Sequence, residues 1–220
     1  VSRPFNHGRA DMKHWFITGI SRGLGRALAE AAMARGDTVV GTVRDLADAP
    51  PAGPGALHLL ILDVSDRAAV GAAVDRAFAL AGGRIDVVVN NAGFGLLGAI
   101  EEATPEEVDA VFATNFHGTL HVVQAALPRL RAQSGGRIIN ITSIAGHAPG
   151  TGAGLYAAAK HAVEGLTKCL AQEVAPFGIK VTAVAPGTFR TDFASDRTLL
   201  RSAPAAGVWT ETVDKVRDAF

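Results

Sequence analysis

The chain has little cysteine and no excess of charge of either sign. Cys169 is the one cysteine among 220 residues, so an internal disulfide is excluded, which fits a reducing compartment. Lysine and arginine together number 21, as do aspartate and glutamate, so no broad field attracts nucleic acid or an anionic membrane. These shortages favour a small molecule as the partner.

Long apolar runs are also missing. No run approaches the roughly 18 residues that a membrane-spanning helix needs. The opening stretch, VSRPFNHGRAD, lacks the apolar block of a secretory signal and shows no periodic pattern. The sequence therefore predicts a cytoplasmic protein without a membrane partner, preceded by a disordered N-terminal extension over residues 1–11.

Strand-like and helix-like segments alternate through the rest of the chain. Short β-branched runs predict strands, and between them apolar residues recur at helical spacing, as in Leu24 to Arg35. Thr104, Pro105 and Glu107 form a helix start signal. This alternation predicts one α/β domain over residues 12–220, a doubly wound Rossmann-type fold whose mainly parallel sheet carries helices on both faces. The predicted strands are His14 to Thr18, Thr38 to Val43, Leu57 to Leu62, Ile85 to Asn90, Arg137 to Thr142 and Lys180 to Ala185.

Three glycines stand between the first predicted strand and the first predicted helix, in TGISRGLG. Glycine tolerates positive φ and lets other atoms approach the backbone, and the amides that open a helix can hold a phosphate there. Gly19, Gly23 and Gly25 follow the spacing GxxxGxG, which is neither GxGxxG nor the GxxxxGK[ST] loop. Alone, the spacing leaves two interpretations open: a phosphate-binding turn, or a strand-to-helix turn that packs small residues.

Further motifs follow in order along the chain. The letters NNAG come after the fourth predicted strand, an asparagine lies on the next helix, a serine ends the fifth strand, and a tyrosine precedes a lysine by one helical turn. Together with TGISRGLG, these resemble the TGxxxGxG, NNAG and YxxxK patterns of the short-chain dehydrogenase/reductase family. The resemblance runs from about Lys13 to Thr191. It implies an oxidoreductase that interconverts a ketone or aldehyde and an alcohol by hydride transfer with a nicotinamide cofactor.

The resemblance implies a catalytic set. Tyr156 is the predicted general acid and base, because a nicotinamide supplies only the hydride. A phenol has an ordinary pKa of about 10, and Lys160, four residues further on the same helical face, is predicted to lower it. Ser143 would hold the substrate oxygen by a hydrogen bond. In the family, the residue that matches Asn115 supports a water-linked proton relay to the lysine.

Cofactor contacts are implied in the same way. Asp63, with Val64, matches the position beside the adenine, although this aspartate could instead cap the next helix. Asn90 and Gly93 match the residues that brace the sheet and line the nicotinamide side. The full predicted set is Gly19, Ser21, Arg22, Gly23, Leu24, Gly25, Arg44, Asp63, Val64, Asn90, Ala92, Gly93, Tyr156, Lys160, Pro186, Gly187 and Thr191.

The end of the second predicted strand, TVRD, bears on the choice of nicotinamide. An acid there binds the ribose hydroxyls of NAD, whereas an arginine binds the 2′-phosphate of NADP. The usual acid position is Val43, followed by Arg44, and Arg22 lies inside the glycine turn. Two cations can converge on one phosphate, so we predict NADP(H). NAD(H) is the alternative, because Asp45 follows directly.

Other interpretations use some of the same residues. His117 and His121 have the spacing of a zinc pair, but neither an HExxH pattern nor a third ligand accompanies them, so no metal is predicted. Ser143 does not lie in a GxSxG elbow, which argues against a serine hydrolase. A catalytically silent NADP(H)-binding sensor or scaffold with the same fold is the main alternative, although it would need no proton donor such as Tyr156.

The sequence says less about substrate and assembly. Phe94 to Leu97, with His147 and Pro149, suggest an apolar pocket wall, although they could equally be core or interface residues. A lipophilic carbonyl compound or alcohol is the predicted substrate. Residues 188–220 correspond to the family's mobile substrate lid, and a homodimer or homotetramer is expected. After the sixth predicted strand only about 35 residues remain. If the chain ends at Phe220, we expect the sheet to lack the family's usual last strand and to end on an exposed edge. A processed or incomplete chain is the alternative explanation.

Overall fold

The computed structural model describes residues 12–51, 53–187, 198–205 and 207–219. Its strands are β1 (His14–Ile17), β2 (Thr38–Val43), β3 (Leu57–Ile61), β4 (Val87–Asn90), β5 (Gly95–Leu97), β6 (Gly136–Ile141), β7 (Ile179–Val184) and β8 (Leu199–Arg201). Its α-helices are α1 (Gly23–Ala34), α2 (Arg67–Leu80), α3 (Pro105–Phe112), α4 (Gly118–Ala132), α5 (Gly154–Val174) and α6 (Val213–Arg217).

The main sheet is six-stranded and parallel, in the order β3-β2-β1-β4-β6-β7. Successive residues of a strand point to opposite faces of a sheet. Accordingly, Phe16 packs with residues of α2, α4 and α5, whereas Ile17 packs with residues of α1. Helices thus cover both faces, which confirms the predicted doubly wound α/β fold.

The six predicted strands are all present, with their ends shifted by up to two residues. The fourth begins at Val87 instead of Ile85, because the N–H of Ile85 donates to the Gln133 side chain at 3.3 Å and not to a neighbouring strand. The predicted helix start is also confirmed. Thr104 and Glu107 exchange backbone-to-side-chain hydrogen bonds of 3.0 and 3.2 Å at the beginning of α3.

A second, small sheet was not predicted. It consists of β5 and β8, which pair in parallel, with Gly95 opposite Leu199 and Leu97 opposite Arg201. Each strand has three residues, too few for an alternating pattern to be recognised. The pairing places the segment that begins at Thr198 beside the loop after β4.

Glu102 fastens that C-terminal segment to the loop. Its side chain is 1% exposed. It accepts hydrogen bonds from the amides of Ala99 and Ala205, at 2.7 and 2.8 Å, and from Arg217 Nη2 at 2.7 Å. Burial alone would raise the pKa of Glu102, but these donors together hold the pKa below its ordinary value. The carboxylate therefore stays charged in its buried position and holds the segment in place.

A π-helical turn, Ala113–His117, joins α3 to α4. Such turns hold one more residue than an α-helical turn and are frequent at functional sites. Here the turn carries Asn115, which is 1% exposed. The Asn115 amide accepts from Phe94 N at 3.1 Å and donates to Phe94 O at 2.8 Å. The helix is thereby tied to the loop after β4.

The remaining predictions on the fold have mixed outcomes. Within the described residues β7 pairs with β6 alone, and no further strand follows it in the sheet. None of the helices described is both long and apolar enough to cross a membrane. The predicted extension over residues 1–11, the first part of the predicted lid over residues 188–197, and Thr191 within it lie outside the described residues.

Candidate active site

A cleft of about 400 Å³ opens at the carboxyl ends of the main-sheet strands. This is the place where open α/β sheets bind ligands. Most of the predicted site residues line it. They are Gly19, Ser21, Arg22, Gly23, Leu24, Gly25, Arg44, Asp63, Val64, Ala92, Gly93, Asn115, Ser143, Tyr156, Lys160, Pro186 and Gly187.

The glycine turn bends at two residues with left-handed backbone conformation, Gly19 (φ 71°) and Gly23 (φ 54°). Thr42 on β2 holds the turn by accepting from Gly19 N at 3.1 Å. Arg22 precedes α1 without any side-chain hydrogen bond to the first helical amides. Amides left in this way bind phosphate groups well. The turn therefore fits the diphosphate of a dinucleotide.

Gly25 has a different role, because it allows close packing. A Cβ atom there would lie 2.3 Å from Asn91 Nδ2 and 2.3 Å from Gly19 O. Both atoms belong to one hydrogen bond, in which Asn91 Nδ2 donates to Gly19 O at 2.9 Å. A side chain at position 25 would force these groups apart.

Gly25→Ala is therefore expected to destabilise the protein by about 2 kcal/mol or more and to weaken dinucleotide binding. Thermal unfolding and equilibrium titration with NADPH measure the two effects. Gly71→Ala on α2 is the matched control, because nothing lies within 4 Å of a Cβ atom at position 71. That exchange should stabilise the helix by up to about 1 kcal/mol. A Gly25→Ala protein as stable as the wild type would contradict the packing role.

Thr18 and Asn91 connect the glycine turn to the loop after β4. Thr18 Oγ1 accepts from the amides of Asn91 and Ala92 at 3.0 and 3.1 Å. Asn91 Nδ2 donates to Thr18 O at 3.0 Å as well as to Gly19 O. Asn91 also lines the cleft, yet it is absent from the predicted site set. The signal that could have identified it is the pair of consecutive asparagines, whose side chains must point to opposite sides of an extended chain.

Asn90 is predicted to brace the sheet and to line the nicotinamide side, and it is not among the residues that line the cleft. Its Nδ2 donates to Asn140 Oδ1 at 2.8 Å, and Asn140 Nδ2 donates to Thr167 Oγ1 on α5 at 2.8 Å. The Asn90 amide nitrogen thus braces β4 against β6, and Asn140 extends the hydrogen bonds to α5.

Ser143, Tyr156 and Lys160 converge where β6 ends against α5. Ser143 precedes a short helical turn, and its Oγ accepts from Ala145 N at 3.1 Å. The Tyr156 side chain is hydrogen-bonded to that of Ser143. Lys160 Nζ donates to Ile141 O at 2.9 Å and lies 5.8 Å from the centre of the Tyr156 ring. The structure brings these three predicted residues together on one wall of the cleft.

Burial shifts the pKa of both ionisable groups on this wall. Burial raises the pKa of Tyr156, and the hydrogen bond with Ser143 offsets this only in part. Burial also lowers the pKa of Lys160 from 10.5 to about 8. The predicted fall in the pKa of Tyr156 is thus not observed in the protein by itself. Desolvation disfavours the charged form of both groups, and the spacing of Tyr156 and Lys160 in the sequence does not report it.

Two arginines lie at the other end of the cleft, near the end of β2. Arg44 follows β2 directly and is exposed. Arg22 extends from the glycine turn, and its Nη2 lies 3.0 Å from Asp48 Oδ2. Both arginines line the cleft. Their positions fit an anionic group at this end.

Two further carboxylates near these arginines, Asp45 and Asp63, form hydrogen bonds within their own turns. Asp45 Oδ1 accepts from Ala47 N at 2.9 Å. Asp63 accepts from the hydroxyl and the amide of Ser65 at 2.7 and 2.9 Å. These bonds lower the pKa of Asp63 despite some burial, and the charge of Arg44 adds to the effect. Asp66 is the residue that caps α2, so Asp63 does not take the alternative role of helix cap.

His117 and His121, which have the spacing of a zinc pair, contact other groups and each other. His121 Nδ1 lies 3.1 Å from Val64 O, and the two imidazole rings are stacked with their centres 6.2 Å apart. Within the described ranges, no three or more His, Cys, Asp or Glu side chains are grouped as metal ligands would be.

Comparison with known proteins finds a family model and relatives that are dehydrogenases or reductases. A family model described as "short chain dehydrogenase" matches residues 13–200. The 3-ketodihydrosphingosine reductase of Bacteroides thetaiotaomicron is 42% identical over 183 residues, which make up 83% of this chain and 66% of that protein. The chain thus spans just under two-thirds of that relative.

Solved structures agree in fold. A short-chain dehydrogenase from Streptomyces avermitilis has a TM-score of 0.87 at 39% identity, covering 94% of this chain and 78% of its own. The 3-ketoacyl-(acyl-carrier-protein) reductase from Brucella melitensis, solved in complex with NADH, has a TM-score of 0.79 at 30% identity, covering 86% of this chain and 85% of its own.

Proposed function

The chain belongs to the short-chain dehydrogenase family of oxidoreductases, and from this membership we propose that it interconverts a carbonyl compound and an alcohol with NADP(H). The observation that carries the proposal is the convergence of Ser143, Tyr156 and Lys160 in the cleft that also holds the glycine turn. A dinucleotide bound along this cleft would have its diphosphate at the turn and its nicotinamide near Gly93. A Cβ atom at Gly93 would lie 2.3 Å from Asn115 Oδ1 and 3.6 Å from Lys160 Nζ, so only glycine leaves that space open.

Each side chain has a defined task in the reaction. When bound, the nicotinamide supplies the hydride and, in its oxidised form, a positive charge. In carbonyl reduction the Tyr156 hydroxyl donates its proton to the substrate oxygen, and in alcohol oxidation the phenolate takes a proton back. Ser143 holds that oxygen by a hydrogen bond. Lys160 stabilises the phenolate by its charge, because it lies on the same face of α5.

The substrate is proposed to be a lipophilic carbonyl compound. Phe94 and Ile144 line the cleft beside the catalytic side chains, and Ile144 is 51% exposed. Apolar side chains next to a few polar groups are typical of ligand pockets. Two relatives are named for the reduction of 3-keto compounds, so such compounds are the first to test.

The test is a turnover assay in which the absorbance of NADPH is followed with a panel of 3-keto compounds, other ketones and aldehydes. Oxidation of NADPH with at least one carbonyl compound, and none without it, is the expected result. Binding of NADPH without turnover of any member of the panel would instead support the sensor or scaffold interpretation.

Arg44→Ala tests the choice of cofactor. The variant should lose about tenfold or more in affinity for NADPH, because a charge-assisted bond to the 2′-phosphate is removed, while its affinity for NADH should change little. Equilibrium binding and kcat/KM with both cofactors provide the comparison. A wild-type preference for NADH, or equal NADPH binding by Arg44→Ala, would refute the assignment.

A further inference from the structure

The cationic end of the cleft contains an ion pair that the proposed reaction does not require. Arg22 Nη2 and Asp48 Oδ2 are 3.0 Å apart, with 21% and 41% of their side chains exposed. Arg22 is one of the two cleft-lining arginines to which we assign the 2′-phosphate. A carboxylate is therefore already bound to a cation that the phosphate would use.

Asp48 differs from the other two carboxylates at this end. Asp45 bonds to the amide of Ala47, and Asp63 bonds to Ser65, so each stabilises its own turn. The Asp48 carboxylate reaches across 26 residues of sequence to a side chain of the glycine turn. Its charge acts on the guanidinium itself.

We propose that Asp48 is a specificity-determining residue which restrains the preference for NADP(H) over NAD(H) by neutralising Arg22. The inference rests on the proposed function, because it takes the 2′-phosphate to lie near Arg22 and Arg44. A phosphate dianion placed there meets a repulsive charge from Asp48 in addition to the attraction of the two arginines. The 2′-hydroxyl of NAD(H) is uncharged, so the same carboxylate affects its binding little.

The magnitude follows from the exposure of the pair. Charges at a partly exposed site interact through a high effective dielectric constant and are screened by salt. Asp48→Asn should therefore strengthen NADPH binding by about three- to tenfold at low salt, leave NADH binding nearly unchanged, and lose most of the gain at high salt. The asparagine keeps the size of the side chain and an acceptor oxygen.

The experiment measures Kd by fluorescence titration of NADPH and NADH and by calorimetry with adenosine 2′,5′-bisphosphate and adenosine 5′-monophosphate. These two mononucleotides report on the 2′-phosphate without any redox chemistry. Glu30→Gln is the matched control. It removes the same charge from another exposed pair, since Arg26 Nε lies 2.8 Å from Glu30 Oε1, and neither residue lines the cleft.

The outcomes separate this inference from the proposed function. Tighter binding of NADPH and of adenosine 2′,5′-bisphosphate by Asp48→Asn, absent in Glu30→Gln and lost when Arg22→Gln is added, supports the role of Asp48. Unchanged or weaker binding of both would overturn it, and would show that Asp48 orients Arg22 for the phosphate or has no part in selection. Absence of carbonyl turnover with normal mononucleotide binding would defeat the proposed reaction and leave the inference standing. If the wild-type protein binds neither cofactor and neither mononucleotide, the proposed function and the role of Asp48 both fail.

Discussion

Tyr156→Phe is expected to lower kcat/KM about a thousandfold while the fold and the affinity for NADPH are kept. The exchange removes one hydroxyl from a side chain that is 8% exposed and retains the ring. What is lost is the proton that reaches the substrate oxygen, together with the bond to Ser143. Steady-state kinetics on the best substrate, circular dichroism and NADPH titration measure the three quantities.

Thr167→Val provides a control on the same helix. It removes a hydroxyl that is 3% exposed and that bonds to Asn140 and Val163 O, away from the cleft. This variant should melt at a lower temperature yet retain nearly all its catalytic activity. If Tyr156→Phe kept wild-type kcat/KM, or if Thr167→Val lost as much, the assignment of the proton donor would fail.

Lys160→Met is the second exchange with a large expected effect, and it should act on activity and on stability in different ways. Activity should fall about a hundredfold or more, because the phenolate loses its neighbouring cation. Stability depends on pH, because burial lowers the pKa of Lys160 to about 8 from an ordinary value of 10.5. The folded protein then binds fewer protons than the unfolded chain between these two values.

Stability rises with pH wherever the unfolded state binds more protons, so the cost of the buried ammonium is fully present below pH 8 and is relieved as pH approaches 10.5. The cost is about 3 kcal/mol. Methionine is a long, unbranched and apolar replacement that does not titrate.

The measurement is the free energy of unfolding from pH 7 to 10. It should compare Tyr156→Phe with the double variant Tyr156→Phe, Lys160→Met, so that the phenol does not titrate in either protein. The double variant should lack part of the rise in stability with pH. Parallel curves over the whole interval would show that Lys160 keeps its ordinary pKa in the folded protein.

Much of this architecture could be predicted because its signals are local. The β-branched runs of the main sheet are continuous. The start of α3 is indicated by Thr104, Pro105 and Glu107, which lie within four residues. Motifs assign the glycine turn and the serine, tyrosine and lysine predicted to be catalytic to one site, and the structure places them along one cleft. Local patterns and ordered motifs carry this information without a structure.

What could not be predicted depends on residues far apart in sequence. The strands β5 and β8 exist because Gly95 and Leu199 meet, and three-residue segments carry no pattern of their own. The direction of the Tyr156 pKa follows from burial, which motif spacing does not report. The pairing of Arg22 with Asp48 likewise requires knowing where the turn after β2 lies. Asn91 was not identified because alternating side-chain direction decides which of two consecutive asparagines lines the cleft.

The π-helical turn at Ala113–His117 sets how α4 is rotated relative to α3, with which it is continuous. Each residue advances an α-helix by about 100°, so the additional residue rotates everything after it relative to what came before. The face of α3 that meets α5 and the face of α4 that meets α2 are therefore offset along one continuous rod. Deleting one residue from this turn would rotate α4 by about 100° relative to α3. The two helices could then no longer meet α5 and α2 with their present faces, and the contact between Asn115 and Phe94 would be lost.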